Sequence, residues 1–137
     1  MTDRPYGPQG RPLFETGSLL ELLPDATGAE QFETLVARGD IRIERIVTRG
    51  QATPLETWYD QQHNEWVLLM SGSALIQFEG MDEFHRLEVG QWLLLPAHCR
   101  HRVAWVPPEE TTVWLAIHWP NQETESQKDI QHAADIY

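Results

Sequence analysis

The sequence predicts an all-β fold, an antiparallel jelly-roll barrel or sandwich preceded by a short N-terminal helix. Three observations support this prediction. From Ile41 onward apolar and polar residues alternate with a period of two, the apolar segments are short and evenly spaced, and turn-forming residues separate them. Short strands at such spacing are typical of antiparallel barrels. The length of 137 residues suits a single domain of this kind.

The N-terminal third is predicted to differ from the rest of the chain. Residues 1–17 are predicted to be a flexible arm, because their first twelve positions hold three prolines and two glycines. Asp25 or Thr27 could then cap a short helix that ends at about Arg38, before Gly39. The buried face of this helix would contain Phe32, Leu35 and Val36.

Strands are predicted wherever the alternation runs between two turns. The turns are marked by pairs such as Ser71-Gly72, Val89-Gly90 and Pro107-Pro108. The barrel domain, with its helix, would therefore span residues 18–120, and a polar tail would occupy residues 121–137. The predicted strands cover residues 41–49, 55–61, 64–70, 73–79, 84–88, 91–95, 101–106 and 111–119.

The composition excludes several classes of partner. The formal net charge is −11, and only one of the ten basic residues is a lysine. Nucleic-acid affinity and binding to anionic membranes both depend on basic side chains, so neither partner is expected. The longest apolar run, Trp66 to Met70, is too short to cross a bilayer, and the N-terminus has no apolar signal segment. With Cys99 as its single cysteine, the chain is expected to be cytoplasmic.

One predicted strand carries a carboxylate within an apolar run. Side chains of a strand alternate between its two faces, so Glu65 shares a face with Val67 and the opposite face begins with Trp66. Both faces are apolar and both must be covered, one by the opposing sheet and the other by the N-terminal helix or a second subunit, and a homodimer is the default expectation. An isolated buried carboxylate costs several kcal/mol. Glu65 therefore needs a metal ion, a cationic partner or a proton.

Two stretches, His63 to Gly72 and Gly90 to His101, resemble the two sequence motifs of the cupin superfamily. Glu65 and Gly72 have the spacing of the first motif. In the second motif the sequence matches at Gly90, Pro96 and His101, and the resemblance covers about residues 41–119. The sequence also departs from the family. The usual His-x-His pair falls on Tyr59 and Gln61, or with a longer gap on Trp58 and Asp60, while His98 replaces a glycine and Trp105 an asparagine.

The resemblance implies a jelly-roll barrel with a site in its interior. Its candidate catalytic residues are Glu65 and His101, which aligns with the motif histidine. Iron, manganese, nickel and zinc accept imidazole nitrogen and carboxylate oxygen, and the candidate ligands are His63, Glu65, His101 and His118. His63 could equally be a solvated loop residue, and His101 a hydrogen-bonded core residue. The remaining pocket residues are predicted to be Tyr59, Gln61, His98 and Trp105.

Two functions remain open at this point. The resemblance most often implies a metal-dependent enzyme acting on a small metabolite, such as a dioxygenase, isomerase or decarboxylase, with one divalent transition metal. The missing His-x-His pair favours the alternative, a metal-free module that binds or senses a small molecule. In either case the apolar and aromatic residues predict a small apolar or aromatic ligand held by a few polar groups.

Overall fold

The structure is a computed structural model that describes residue 10 and residues 13–121. Within these residues the chain forms eight β-strands and no α-helix, and none of its segments is a helix long and apolar enough to span a membrane. Most of the predicted N-terminal arm and nearly all of the predicted tail lie outside the described residues. The strands are β1 (Gln31–Arg38), β2 (Ile41–Thr48), β3 (His63–Ser71), β4 (Ser73–Phe78), β5 (His85–Glu88), β6 (Trp92–Leu95), β7 (His101–Trp105) and β8 (Thr112–Pro120).

The strands form two sheets that pack face to face as a jelly-roll barrel. The larger sheet has the order β1-β2-β8-β3-β6, the smaller has the order β5-β4-β7, and every pairing is antiparallel. Alternate side chains of both sheets point inward and make one core. Its buried members come from both sheets and include Val67, Leu69, Ile76, Leu87, Leu95 and Trp114.

The predicted N-terminal helix is wrong, because residues 31–38 form a strand. A two-residue turn at Gly39 and Asp40 joins β1 to β2, and Gly39 has the positive φ of 55° that this turn requires. A bulge between Thr34 and Val36 interrupts the alternation of β1. The bulge produces an apolar spacing that resembles one face of a helix. The supposed buried face is instead exposed, by 58% at Phe32, 39% at Leu35 and 38% at Val36.

The predicted strand over residues 55–61 is also wrong. This segment makes a single antiparallel bridge, between Tyr59 and His101. Backbone bonds tie it to the edge of the smaller sheet, with 2.7 Å from Tyr59 N to His101 O and 2.9 Å from Thr53 N to Val103 O. The segment therefore acts as an irregular margin of β7. The other seven predicted strands correspond to β2 through β8 with small changes at their ends.

Arg45 fixes the chain that precedes β1 against the outer face of the larger sheet. Its side chain points away from the barrel interior and is only 5% exposed. The guanidinium donates to both carboxylate oxygens of Glu33, at 2.9 and 3.0 Å. It also donates to backbone carbonyls of Ser18, Leu19, Glu21 and Leu22. Residues 18–22 are therefore held on the sheet by one buried, fully used guanidinium.

Candidate functional site

A cavity of about 250 Å³ lies between the two sheets. Most of its wall comes from β2, β3, β6 and β8 of the larger sheet, and β4, β7 and the irregular margin supply the facing side. The lining consists of Glu30, Phe32, Arg42, Glu44, Ile46, Thr48, Tyr59, Gln61, His63, Glu65, Val67, Ile76, Leu93, Leu95, His101, Val103, Trp114 and His118.

The register of the larger sheet separates polar from apolar groups within the cavity. Arg42, His118 and Glu65 are direct neighbours across β2, β8 and β3, and all three point inward. Four residues further along the same strands, the neighbours are Ile46, Trp114 and Leu69. Because inward-facing side chains recur every second residue, the row nearest one end of the barrel is polar, the next row contains Glu44 beside Ala116 and Val67, and the row of Ile46 and Trp114 is apolar. The cavity therefore has a polar end and an apolar floor.

His118 is the centre of the polar end. Its Nε2 atom lies 2.7 Å from Oε1 of Glu44 and 3.8 Å from Oε2 of Glu65, and its Nδ1 atom lies 2.9 Å from Nε2 of His63. An ionised carboxylate only accepts hydrogen bonds, so Nε2 of His118 carries the proton and donates to Glu44. Nδ1 of neutral His118 then accepts from His63. Glu44 also pairs with Arg42, whose Nε lies 3.6 Å from Oε2.

Burial shifts the pKa values of Glu65 and His118 in opposite directions. Desolvation, helped by the nearby charge of Glu44, raises the pKa of Glu65 to about 7. Burial lowers the pKa of His118, although the adjacent Glu44 carboxylate opposes this change. Near neutral pH Glu65 is therefore present in both its protonated and ionised forms, beside an uncharged imidazole.

His101 approaches the same cavity from the smaller sheet. Its Nδ1 donates to the carbonyl oxygen of Cys99 at 2.8 Å, which leaves a lone pair on Nε2. The ring stacks on Tyr59 with 5.6 Å between centroids, and burial lowers its pKa. Glu65 and His101 are both only 7% exposed and line one cavity from facing sheets. Among the described ion pairs, the carboxylate of Glu65 meets His118 rather than His101.

Most residues that the sequence nominated line this cavity, but two do not. Trp105 is exposed, because β7 contains a bulge: Ile76 pairs with Val103 and the adjacent Leu75 pairs with Trp105. Ala104 is the extra residue, so Trp105 does not share the inward face of Val103. Tyr59, Gln61, His63, Glu65, His101 and His118 are the nominated residues on the lining.

His98 also lies outside the cavity lining. Its Nδ1 atom is 2.8 Å from Oδ1 of Asp60, and the side chain is exposed on the surface. The backbone of His98 has a φ of 64°, a conformation that glycine adopts without strain. The residue thus keeps the backbone geometry of the motif glycine that it replaces, while the Asp60 carboxylate holds its ring outside.

The sequence analysis missed two carboxylates of the cavity, Glu44 and Glu30. Glu44 sits on β2 between Ile43 and Arg45, where alternating charges resemble an ordinary solvated face. The usable signal is the alternation along β2, which puts Arg42, Glu44, Ile46 and Thr48 on one face. Ile46 is partly buried and Thr48 is buried, so this face is not an ordinary exposed one. Glu30 precedes β1 in a segment that was assigned to the helix, so its inward position had no sequence signal.

The donor atoms at the polar end suit a divalent transition metal in kind. Imidazole nitrogen and carboxylate oxygen are its usual ligands, and neighbouring ligands with bonds of about 2.1 Å are about 3 Å apart. The separations of 2.7, 2.9 and 3.8 Å around His118 lie near that value. Among the described residues, however, no three His, Cys, Asp or Glu side chains converge on one point. His118 turns one nitrogen toward the carboxylates and the other toward His63.

Comparison with known structures identifies one relative at high identity. A candidate mannose-6-phosphate isomerase from Ralstonia eutropha JMP134 is 45% identical, with a TM-score of 0.74 over 77% of this chain and 98% of that one. A cupin superfamily protein from Desulfitobacterium hafniense DCB-2 is 20% identical, with a TM-score of 0.61 over 88% and 100%. An RmlC-like cupin from Desulfovibrio desulfuricans is 15% identical, with a TM-score of 0.61 over 78% and 96%. The last two show the fold alone. No family model and no curated protein matches the sequence.

Proposed function

The chain belongs to the cupin superfamily, and we propose that it is an enzyme that transfers a proton within a small carbonyl metabolite, as isomerases and lyases do. The observation that carries this proposal is the pairing of two titratable groups across one cavity. Glu65 on the larger sheet has a pKa of about 7, and His101 on the smaller sheet has a free Nε2. Groups whose pKa values lie near the working pH are effective general acids and bases.

The two groups have complementary roles. His101 Nε2 removes a proton from the carbon next to the carbonyl group, while protonated Glu65 gives its proton to the carbonyl oxygen. The electron pair of the broken C–H bond forms the new C=C bond, and the product is an enol. When the carbon that lost its proton carries a hydroxyl group, His101 returns the proton to the former carbonyl carbon, the hydroxyl proton passes to the ionised Glu65, and the new C=O bond completes an isomerisation. Glu44 orients His118, which lies beside Glu65 and keeps water from that side of the carboxyl group.

A divalent metal cofactor is a second form of the same proposal, and the donor chemistry of the polar end favours it. Glu65, His118 and Glu44 are the residues that would hold the cation, with His63 behind His118, and they would have to turn toward one point to do so, since no three of the described side chains converge. The cation would supply the positive charge that polarises the carbonyl oxygen. Glu65 would then act as an ionised ligand, and His101 would remain the base.

Binding without catalysis is the alternative. Two observations favour it: the absence of the His-x-His pair from the first motif, and the engagement of both His118 ring nitrogens with other side chains. A binding protein would use the same cavity, with Tyr59, Gln61 and Glu65 as hydrogen-bonding groups.

Hydrogen–deuterium exchange tests the proton transfer directly. The protein is incubated in D₂O with small carbonyl compounds, and the loss of the α-proton signals is followed by NMR. We expect exchange above background that falls at least about a hundredfold in His101→Ala, as typical for loss of a general base. His85→Ala, which alters an exposed histidine of β5, is the control. Equal exchange rates in the two variants would contradict the assignment of His101.

Metal analysis separates the two forms of the enzyme. Protein purified without a histidine tag is assayed for bound transition metals. The metal-dependent form predicts about one equivalent, which is lost in His118→Ala and kept in His85→Ala. Substoichiometric metal in all three proteins, with exchange activity intact, would leave only the metal-free form.

We also infer that the protein is a homodimer. The outward face of the larger sheet carries an apolar row that crosses all five strands, and Trp66 and Trp92 lie together on it with 6.0 Å between ring centroids. A row of this length needs cover, and a second copy presents the same uncharged surface. The row consists of Val36, Ile43, Ile117, Trp66 and Leu94.

A further inference from the structure

The floor of the cavity limits the body of its ligand. Both sheets contribute apolar side chains to it, and the described hydrogen-bonding groups among them are the indole N–H of Trp114 and the hydroxyl of Thr48, which already lie 3.4 Å apart. A hydroxyl-rich molecule would lose its water there without gaining partners, which costs several kcal/mol for each unpaired group. The ligand therefore has an apolar body. The floor residues are Ile46, Val67, Ile76, Leu93, Leu95, Val103 and Trp114.

The charges at the polar end limit the head of the ligand. Three carboxylates line the cavity, those of Glu30, Glu44 and Glu65, against one arginine, Arg42. Arg42 already pairs with Glu44 at 3.6 Å, and its side chain is about half exposed. No described arginine or lysine of the lining is thus left unpaired for a phosphate or carboxylate group.

Two of the three carboxylates lack a cationic partner among the described residues. Glu65 is only 7% exposed, and its nearest basic atom is His118 Nε2 at 3.8 Å, beyond hydrogen-bond distance. Glu30 makes no described hydrogen bond or ion pair, and burial raises its pKa. Both carboxylates act on Tyr59, whose pKa is raised by burial first and then by Glu30, with a smaller contribution from Glu65. Glu30, Tyr59 and Glu65 all line the same cavity.

We propose that the cavity binds a compact carbonyl compound with an apolar body and a protonated amine, and that it rejects phosphate and carboxylate compounds of the same size. The amine pairs with Glu30, which leaves Glu65 to act as the acid of the proposed function, and the apolar body rests on the floor. The ring of Tyr59 offers a face to the cation. This substrate class rests on the proposed function, because it places the reacting molecule in the cavity of Glu65 and His101. It differs from the sugar phosphate named for the Ralstonia relative.

Three probes of nearly equal size test the head group. Benzylamine, benzyl alcohol and benzoate share one apolar body and differ in charge. Their dissociation constants are measured at pH 7.5 by NMR titration of the tryptophan indole N–H signals, with and without EDTA. We expect benzylamine to bind at least about tenfold more tightly than benzyl alcohol, and benzoate and mannose 6-phosphate to bind more weakly still. Tighter binding of benzoate or mannose 6-phosphate than of benzylamine would overturn the proposal.

Variants that neutralise one carboxylate each show which residue causes the preference for the amine. Glu30→Gln should weaken benzylamine binding about tenfold and leave benzyl alcohol unchanged. Glu83→Gln removes the same charge from an exposed position and should change neither. Glu65→Gln provides a second variant inside the cavity. If Glu83→Gln weakened benzylamine binding as much as Glu30→Gln, the preference for the amine would follow from the net charge of the protein, and the assignment of the amine to the cavity would be overturned.

The outcome is separable from that of the proposed function. If the protein prefers benzylamine but exchanges no α-protons, the proposed ligand class stands and the proposed enzymatic activity is overturned. If the protein exchanges α-protons of neutral or anionic carbonyl compounds and shows no preference for benzylamine, the proposed activity stands and the proposed ligand class is overturned.

Discussion

Glu65 and His118 face each other in the register between β3 and β8, and Oε2 of Glu65 lies 3.8 Å from Nε2 of His118. The two side chains therefore share one desolvated site, although each prefers to be uncharged there. Burial raises the pKa of the carboxyl group and lowers that of the imidazole. Their effects on stability consequently have opposite pH dependences. Stability falls as pH rises through the range of Glu65, and it falls as pH drops through the range of His118.

Glu65→Gln should stabilise the protein above neutral pH. At pH 4 the carboxyl group is largely protonated in both the folded and the unfolded chain. Between pH 4.5 and about 7 the unfolded chain releases a proton that the folded chain keeps, so wild-type stability declines. We expect the variant to gain up to about 3 kcal/mol relative to wild type at pH 8 and little at pH 4. Urea unfolding at both pH values in the presence of EDTA measures this, and a less stable variant at pH 8 would contradict it.

Gly72→Ala and Gly80→Ala should differ in cost although both glycines have a φ of 86°. A Cβ at Gly72, in the turn between β3 and β4, would lie 3.1 Å from Cα of Thr112, whereas at Gly80 nothing lies within 4 Å. Gly80→Ala therefore reports the backbone strain alone, about 1 to 2 kcal/mol. Gly72→Ala adds a clash with the backbone of β8 and should cost about 3 kcal/mol or more. Equal losses in urea unfolding would show that the barrel relaxes around Thr112.

Arg45→Met should release residues 18–22 from the larger sheet. The substitution removes a buried ion pair with Glu33 and leaves several backbone carbonyls without their donor, so we expect a loss of about 3 kcal/mol. Hydrogen exchange should quicken at residues 18–22. Arg86→Met breaks the exposed Arg86–Glu88 pair and should change stability by less than about 0.5 kcal/mol. Unchanged exchange at residues 18–22 would mean that other contacts hold this segment.

Trp92→Glu should convert the dimer to a monomer. Trp92 lies on the outward face of the larger sheet and is 57% exposed, so a glutamate there would put two charges into the proposed apolar interface. Light scattering after gel filtration measures the mass in solution. Met81→Glu, at an equally exposed position in the turn between β4 and β5, should remain dimeric. A monomeric wild-type protein would remove the inference of a homodimer.

The sequence predicted the barrel well, because β2 through β8 have regular alternation and clear turns. It failed at β1, where the bulge between Thr34 and Val36 shifts the apolar residues from the spacing of a strand to that of a helix. Its prediction for residues 55–61 failed for another reason. Those residues pair with β7 at Tyr59 through backbone atoms, which side-chain patterns do not report.

Within the site, the alternation of residues along one strand indicated which side chains share a face, but the sequence did not show which strands are neighbours. The alternation of His63, Glu65 and Val67 correctly placed these side chains on the cavity lining. Which strand lies beside β3 depends on the order of the whole sheet, so the contact of His118 with Glu44 had no local signature. Long-range pairing of this kind is fixed by packing rather than by any short segment of sequence.

The bulge at Ala104 decides whether the interior of the barrel is hollow. With the extra residue, the indole of Trp105 emerges on the outside and the space beside Val103 stays open. A regular β7 of the same length would instead keep strict alternation through Ala104, and Trp105 would then point inward with Val103 and fill this space. The backbone conformation of one residue thus separates a hollow barrel from a filled one.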